Sequence, residues 1–247
     1  MWRVLGRSVT ITLVPRVEGG FALFLRQAAA LAAKDIRAEL RSKEVASGTL
    51  VFALLVLVVF NFAFDLRGEN RSLAAPGMLW VAILLAAMMG LGHVFAKERE
   101  QGGIEGLLAL PVDRSAIYLG KLFSAFIMTL VIEAAILPVF TVFTNLSAFE
   151  PGLLLIVLLG TIGLVTAGTL FSAMSAHTRT RELMLPVLLL PVSVPVLIAG
   201  VEGARLTFDG EPWRELLTPV GVLVSFDVIL LALCPWLFRY IMEEMGS

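Results

Sequence analysis

The sequence predicts an all-α polytopic membrane protein: six transmembrane helices, both termini cytoplasmic, preceded by an amphipathic helix at the membrane surface. Three observations lead there. Of 247 residues, 58% are hydrophobic and 16% charged, with a mean hydropathy of +0.91. Soluble domains carry about 25% charged residues, so composition alone selects the integral membrane class. Six runs reach or approach the roughly 20 apolar residues that a helix needs to cross the hydrocarbon, and they lack the short alternating pattern of barrel strands. Lys and Arg are also distributed unevenly among the segments between those runs.

Residues 1–20 form an N-terminal extension. Its apolar patch, Val9 to Val14, is interrupted by threonines and ends at Pro15. That is too short for a signal-peptide core, so membrane targeting is expected to fall to the first span. Residues 21–44 read as a cytoplasmic amphipathic interfacial helix. Leu25, Ala28, Ala29, Ala32, Ile36 and Leu40 recur at helical spacing, while Lys34, Arg37 and Arg41 share another face. Such a helix suits the interface, its basic groups near anionic headgroups. A solvated helical lead-in is the plainer alternative.

The spans themselves are expected at 45–64, 75–96, 122–144, 152–176, 183–200 and 216–238, within a six-helix domain covering 45–238. The fifth is short and carries Pro186, Pro191 and Pro195. Proline removes a backbone donor and kinks a helix, so a bent or broken helix is expected there. Residues 239–247 remain as a cytoplasmic tail. With the N-terminus inside, fifteen of the nineteen Lys and Arg fall in cytoplasmic segments and four in external ones. That bias fixes the expected orientation. Gly168, Ser172 and Ala176 form a small-residue row in the fourth span, with Gly160 and Gly163 just before it. Such rows let helices approach closely, inside a subunit or at a dimer seam. Trp80, Trp213 and Trp236 fall near expected interfaces, where aromatic anchors are common. Asn61 reads as a helix-contact residue or an interface anchor.

The cytoplasmic loop 97–121, between the second and third spans, is unusual. Glu98, Arg99 and Glu100 are expected to extend the second helix into water. Gly102 and Gly103 then permit a change of direction. Ile104, Leu107 and Leu108 follow at the spacing of a short apolar stripe, and Pro111 marks its end. An amphipathic turn beside the bilayer needs something to receive its apolar face: lipid, the protein's own helices, or a separate cytoplasmic protein.

The string from Glu98 to Pro111 fits E-R-E-x-G-x-x-E-x-L-x-x-x-P, a pattern that resembles the coupling element of ABC-2-type exporter permeases. A narrower resemblance runs from about residue 22 to 238. Asp35-Ile36-Arg37-Ala38-Glu39-Leu40-Arg41 precedes the first span. Ala75-Pro76-Gly77-Met78-Leu79-Trp80-Val81 opens the second, and the run from Leu185 to Ile198 fills the fifth. Together these resemble the haem exporter protein B family, the permease-like subunit of cytochrome c maturation. The resemblance implies a multi-pass protein of the cell inner membrane that forms a complex with a separate ATP-binding subunit, haem-handling maturation subunits and a second copy of itself. It implies that Glu98, Arg99, Glu100, Gly102, Glu105, Leu107, Leu108 and Pro111 contact the ATP-binding subunit. ATP and Mg would sit on that partner, haem would be handled by the complex, and this chain would hold no cofactor or metal itself.

The residues agree with a non-catalytic subunit. No G-x-x-x-x-G-K-[ST] string occurs, nor HExxH, GxSxG or a carboxylate-rich metal cluster. The net charge of −1 suggests no nucleic-acid partner, and the single Cys234 allows no internal disulfide. Glu133 and Asp227 lie midway along the third and sixth spans. An intramembrane carboxylate costs roughly 2.5–3.5 kcal/mol on insertion scales, which makes each a functional candidate. A haem or proton pathway is one reading; a protonated carboxyl bonded to a Ser or Thr of a neighbouring helix is the other. The only histidines, His93 and His177, fall at the cytoplasmic side, where axial ligation of haem at the outer face is out of reach. Other cargoes of the same architecture, such as a lipid, glycan or drug, remain open. So does a scaffold that uses ATPase strokes to release a haem-loaded chaperone.

Overall fold

A computed structural model describes residues 21–64, 71–95, 113–175 and 181–244. Among them the chain forms seven helices and no strand. They are α1 (Phe21–Ser42), α2 (Glu44–Phe64), α3 (Arg71–Leu91), α4 (Arg114–Thr144), α5 (Pro151–Ser175), α6 (Arg181–Phe208) and α7 (Trp213–Glu244). The last six contain stretches long and apolar enough to cross a membrane. α4, with 31 residues, is about 46 Å long at the standard rise, well beyond the hydrocarbon thickness.

α5 is the central helix. It packs most extensively on α6 and α7 and also touches α3 and α4. Its small residues explain the position. A side chain at Gly160 would overlap Trp80 of α3, one at Gly168 would overlap Leu91, and one at Gly163 would press on Phe226 and Asp227 of α7. The small-residue row therefore serves packing within the subunit, where close approach replaces the hydrophobic drive that lipid cannot supply. Ala176 lies outside the described residues.

Two buried layers stack along the bundle. One joins Leu57, Met78, Leu79, Trp80, Ile136, Phe140, Ile156 and Val196. The other joins Leu91, Phe95, Tyr118, Val165, Leu189, Cys234 and Phe238. Tyr118 ties the second layer together by donating to the Thr166 carbonyl at 2.8 Å. Trp80 is thus a core residue with no exposure, and its expected role as an interface anchor is corrected. The reason is steric: Gly160 and Gly200 face it from two helices and leave a slot for the indole. Trp213 and Trp236 are exposed.

Several helix limits differ from expectation. α3 stops at Leu91, where turns over residues 92–95 begin, so it does not run on to 96. α4 starts at Arg114, capped by Asp113, whose side chain accepts from Ser115 N at 2.8 Å. Residues 114–121, expected in a loop, are therefore helical. α6 is one unbroken 28-residue helix through all three prolines, not a broken one. Pro191 and Pro195 lie on its exposed face, opposite the packed Leu185, Leu189, Ser193 and Val196. Each removes one ladder bond while the packed side holds the helix. α6 also continues to Phe208, beyond the expected limit at Gly200. Arg205 meets Glu202 at 2.7 Å and Asp209 at 2.9 Å, pairs that suit helical spacing. Gly210, with φ 72°, then makes the turn into α7.

α1 packs on α4 and only slightly on α2. Its docked face is Ala28, Leu31, Ala32, Asp35 and Glu39, while Leu25, Ala29 and Leu40 are exposed. Only one edge of the expected apolar stripe meets protein. The docked face is turned from the stripe's centre because Gly120 of α4 offers a shallow seat: a Cβ there would lie 2.8 Å from Leu31 Cβ.

Candidate functional site

The segment expected to couple to an ATPase, with Glu98, Arg99, Glu100, Gly102, Glu105, Leu107, Leu108 and Pro111, lies outside the described residues, as does His177. What the structure describes are the two ends that carry it. The turn after α3 ends at Phe95, and α4 begins at Arg114.

A buried cation stands where these ends meet. Lys121 is 3% exposed, in the second turn of α4. Its Nζ lies 2.9 Å from Asp35 Oδ2 on α1 and donates to the Val94 carbonyl at 3.2 Å. It also lies 5.5 Å from the centre of the Phe95 ring. Lys34 meets the other oxygen of Asp35 at 3.1 Å. One turn further along α1, Glu39 accepts from Ala46 N at 3.0 Å, which satisfies an otherwise unpaired donor in the first turn of α2. A small cavity of about 110 Å³ opens beside this group, lined by Asp35, Glu39, His93, Lys121, Ser124 and Met128. Sequence reasoning missed Lys121 by counting it as a loop residue. The signal was present in Asp113-Arg114-Ser115, a helix start whose cap, Asp113, lies eight residues upstream of it.

The intramembrane carboxyls are both buried, Glu133 at 3% and Asp227 at 4% exposure. Glu133 accepts from Thr161 Oγ1 of α5 at 2.5 Å. Its second oxygen has no hydrogen-bond partner among the described residues, and neither does either oxygen of Asp227. Both groups face α5, one at Thr161 and the other at Gly163, where a Cβ would lie 2.8 Å from Asp227 Oδ1. Glu133 thus has the Thr partner on a neighbouring helix that the plainer reading expects, and Asp227 does not. Glu133→Gln keeps an acceptor for Thr161, so we expect subunit abundance and transport near the wild-type level. Thr161→Val strips that partner and is expected to cost about 1–3 kcal/mol, read as a lower thermal midpoint in detergent.

Asn61 is buried on α2, as a helix-contact residue would be. His93 is exposed, its Nδ1 2.9 Å from the Met89 carbonyl. Among the described residues no three His, Cys, Asp or Glu side chains converge as metal ligands would.

The six apolar helices define a multi-pass membrane protein. Comparison with known proteins then narrows the class. Residues 26–243 match the family described as CcmB protein. The chain is 30% identical to Heme exporter protein B of Rhodobacter capsulatus, over 84% of this chain and 94% of that protein. It is likewise 30% identical to Heme exporter protein B of Paracoccus denitrificans, over the same shares of the two chains. For the Pseudomonas aeruginosa protein of that name the identity is 29%, over 79% and 91%. The chain belongs to the CcmB protein family, and is a membrane subunit of the haem exporter type.

Proposed function

We propose that this chain is the permease subunit of an inner-membrane ABC transporter complex for cytochrome c maturation. It couples ATP hydrolysis on a separate subunit to haem export or to release of a haem-loaded chaperone. The observation that carries the reading is the family match across nearly the whole bundle. The relatives' name, Heme exporter protein B, supports the link to haem. Haem-handling partner subunits and a second copy of this chain are part of the same proposal.

In this reading the segment from Glu98 to Pro111 docks on the ATP-binding subunit, which holds ATP and Mg. α3 and α4, attached at its two ends, carry the stroke into the bundle. α5 receives it, because α3, α4, α6 and α7 all pack on that helix. The chain itself catalyses no reaction. A photocrosslinker at Glu105 tests the coupling: it is expected to capture an ATPase subunit in native membranes. Capture of lipid alone would sink the docking assignment.

A further inference from the structure

We propose that Lys121 is a positioning residue of the transport cycle: it clamps α1 and the turn after α3 to α4, so that all three move as one body. The role in transport rests on the permease reading above, whereas the clamp itself is a matter of geometry. Lys121 contacts three residues in two separate parts of the chain: Asp35 on α1, and the Val94 carbonyl and the Phe95 ring. The last two sit in the turn that leads away from α3, and Lys121 itself sits on the helix to which the chain returns. The cation therefore bridges both ends of the connection between α3 and α4 and ties them to α1.

The neighbouring packing supports a rigid unit. At Gly120, one residue before Lys121, a Cβ would lie 2.9 Å from the Ala28 carbonyl, so the α1 backbone rests directly on α4. Glu39 then extends the linkage to the first turn of α2 through Ala46 N. Displacement at the turn after α3 has a path through the Val94–Lys121 hydrogen bond, the Lys121–Asp35 ion pair, the α1 backbone and the Glu39–Ala46 hydrogen bond to the start of the first span. Stability alone is a poor account of this residue. Lys121 is buried in protein, and apolar side chains could join α1 to α4 without the desolvation cost of a buried ion pair. A fixed ion pair adds register between the helices, which a conformational cycle requires.

The test combines a distance with an output. Spin labels go on exposed positions of α1 and the turn, as Arg37→Cys and His93→Cys in a Cys234→Ser background. The tagged complex is purified from the native host, and the label separation is measured without nucleotide and with ATP trapped. With Lys121 or Lys121→Arg, one narrow separation is expected in both states. With Lys121→Met or Asp35→Asn, the separation should broaden or shift with nucleotide. Covalent c-type cytochromes should then fall about tenfold at equal membrane abundance, a size typical of coupling between sites. Separations that stay narrow in both variants would overturn the proposal, whatever the cytochrome level. So would loss of abundance in every variant, Lys121→Arg included, since that marks an ordinary folding contact. Cytochromes indifferent to deletion of the whole gene would refute the permease reading instead, while the separations would still decide the clamp.

Discussion

Adding one methyl group at Gly160 or at Gly200 is expected to destabilise the bundle by about 1–3 kcal/mol, the range for overpacking a filled core. A Cβ at either position would overlap the Trp80 ring, which is wholly buried between α5 and α6. Removing the indole by Trp80→Ala should cost about 3–5 kcal/mol through the cavity it leaves. The two effects oppose each other in volume, so they should not add. Trp80→Phe, which frees space beside both glycines, should recover part of the loss in Gly160→Ala. Thermal unfolding followed by monodispersity in detergent measures the four single variants and the Trp80→Phe/Gly160→Ala double variant. Additive losses in the double variant would mean that Trp80 does not fill that slot.

Placing charge on the apolar side of the 104–110 segment is expected to uncouple the complex. Leu107→Asp together with Leu108→Asp is expected to leave the amount of the subunit in the membrane near the wild-type level. Covalent c-type cytochromes should nevertheless fall at least tenfold, as a loss of about 1.4 kcal/mol or more in docking implies. The readout is haem staining normalised to the abundance of the subunit in the membrane. Full cytochrome levels with both aspartates in place would remove the segment from the coupling mechanism.

The spans were legible in the sequence because apolar runs of 20 residues have few structural outcomes. Their limits were less so, for particular reasons. Residues 201–208 looked like a loop because they are charged, yet Glu202, Arg205 and Asp209 pair along one helical face. The prolines of α6 argued for a break, but a composition reading cannot tell that Pro191 and Pro195 lie on the exposed side. Trp80 resembled an interface anchor until the glycines of two distant helices were brought against it. Lys121 illustrates the general difficulty. As a charged residue near a span it counted toward topology, and only the packing of α1 on α4 reveals its partner Asp35, 86 positions earlier in the chain. Glu133 and Asp227 could be singled out from their place in apolar runs. Their different surroundings, a hydroxyl for one and close backbone for the other, depend on the register of α5.

The most direct measurement is a haem-stained gel of membranes from the native host, with and without this gene. Covalent c-type cytochromes are expected to be lost in the deletion and to recover with the wild-type chain. Unchanged cytochromes in the deletion would contradict the maturation role, leave the six-span architecture standing, and direct attention to another exported cargo.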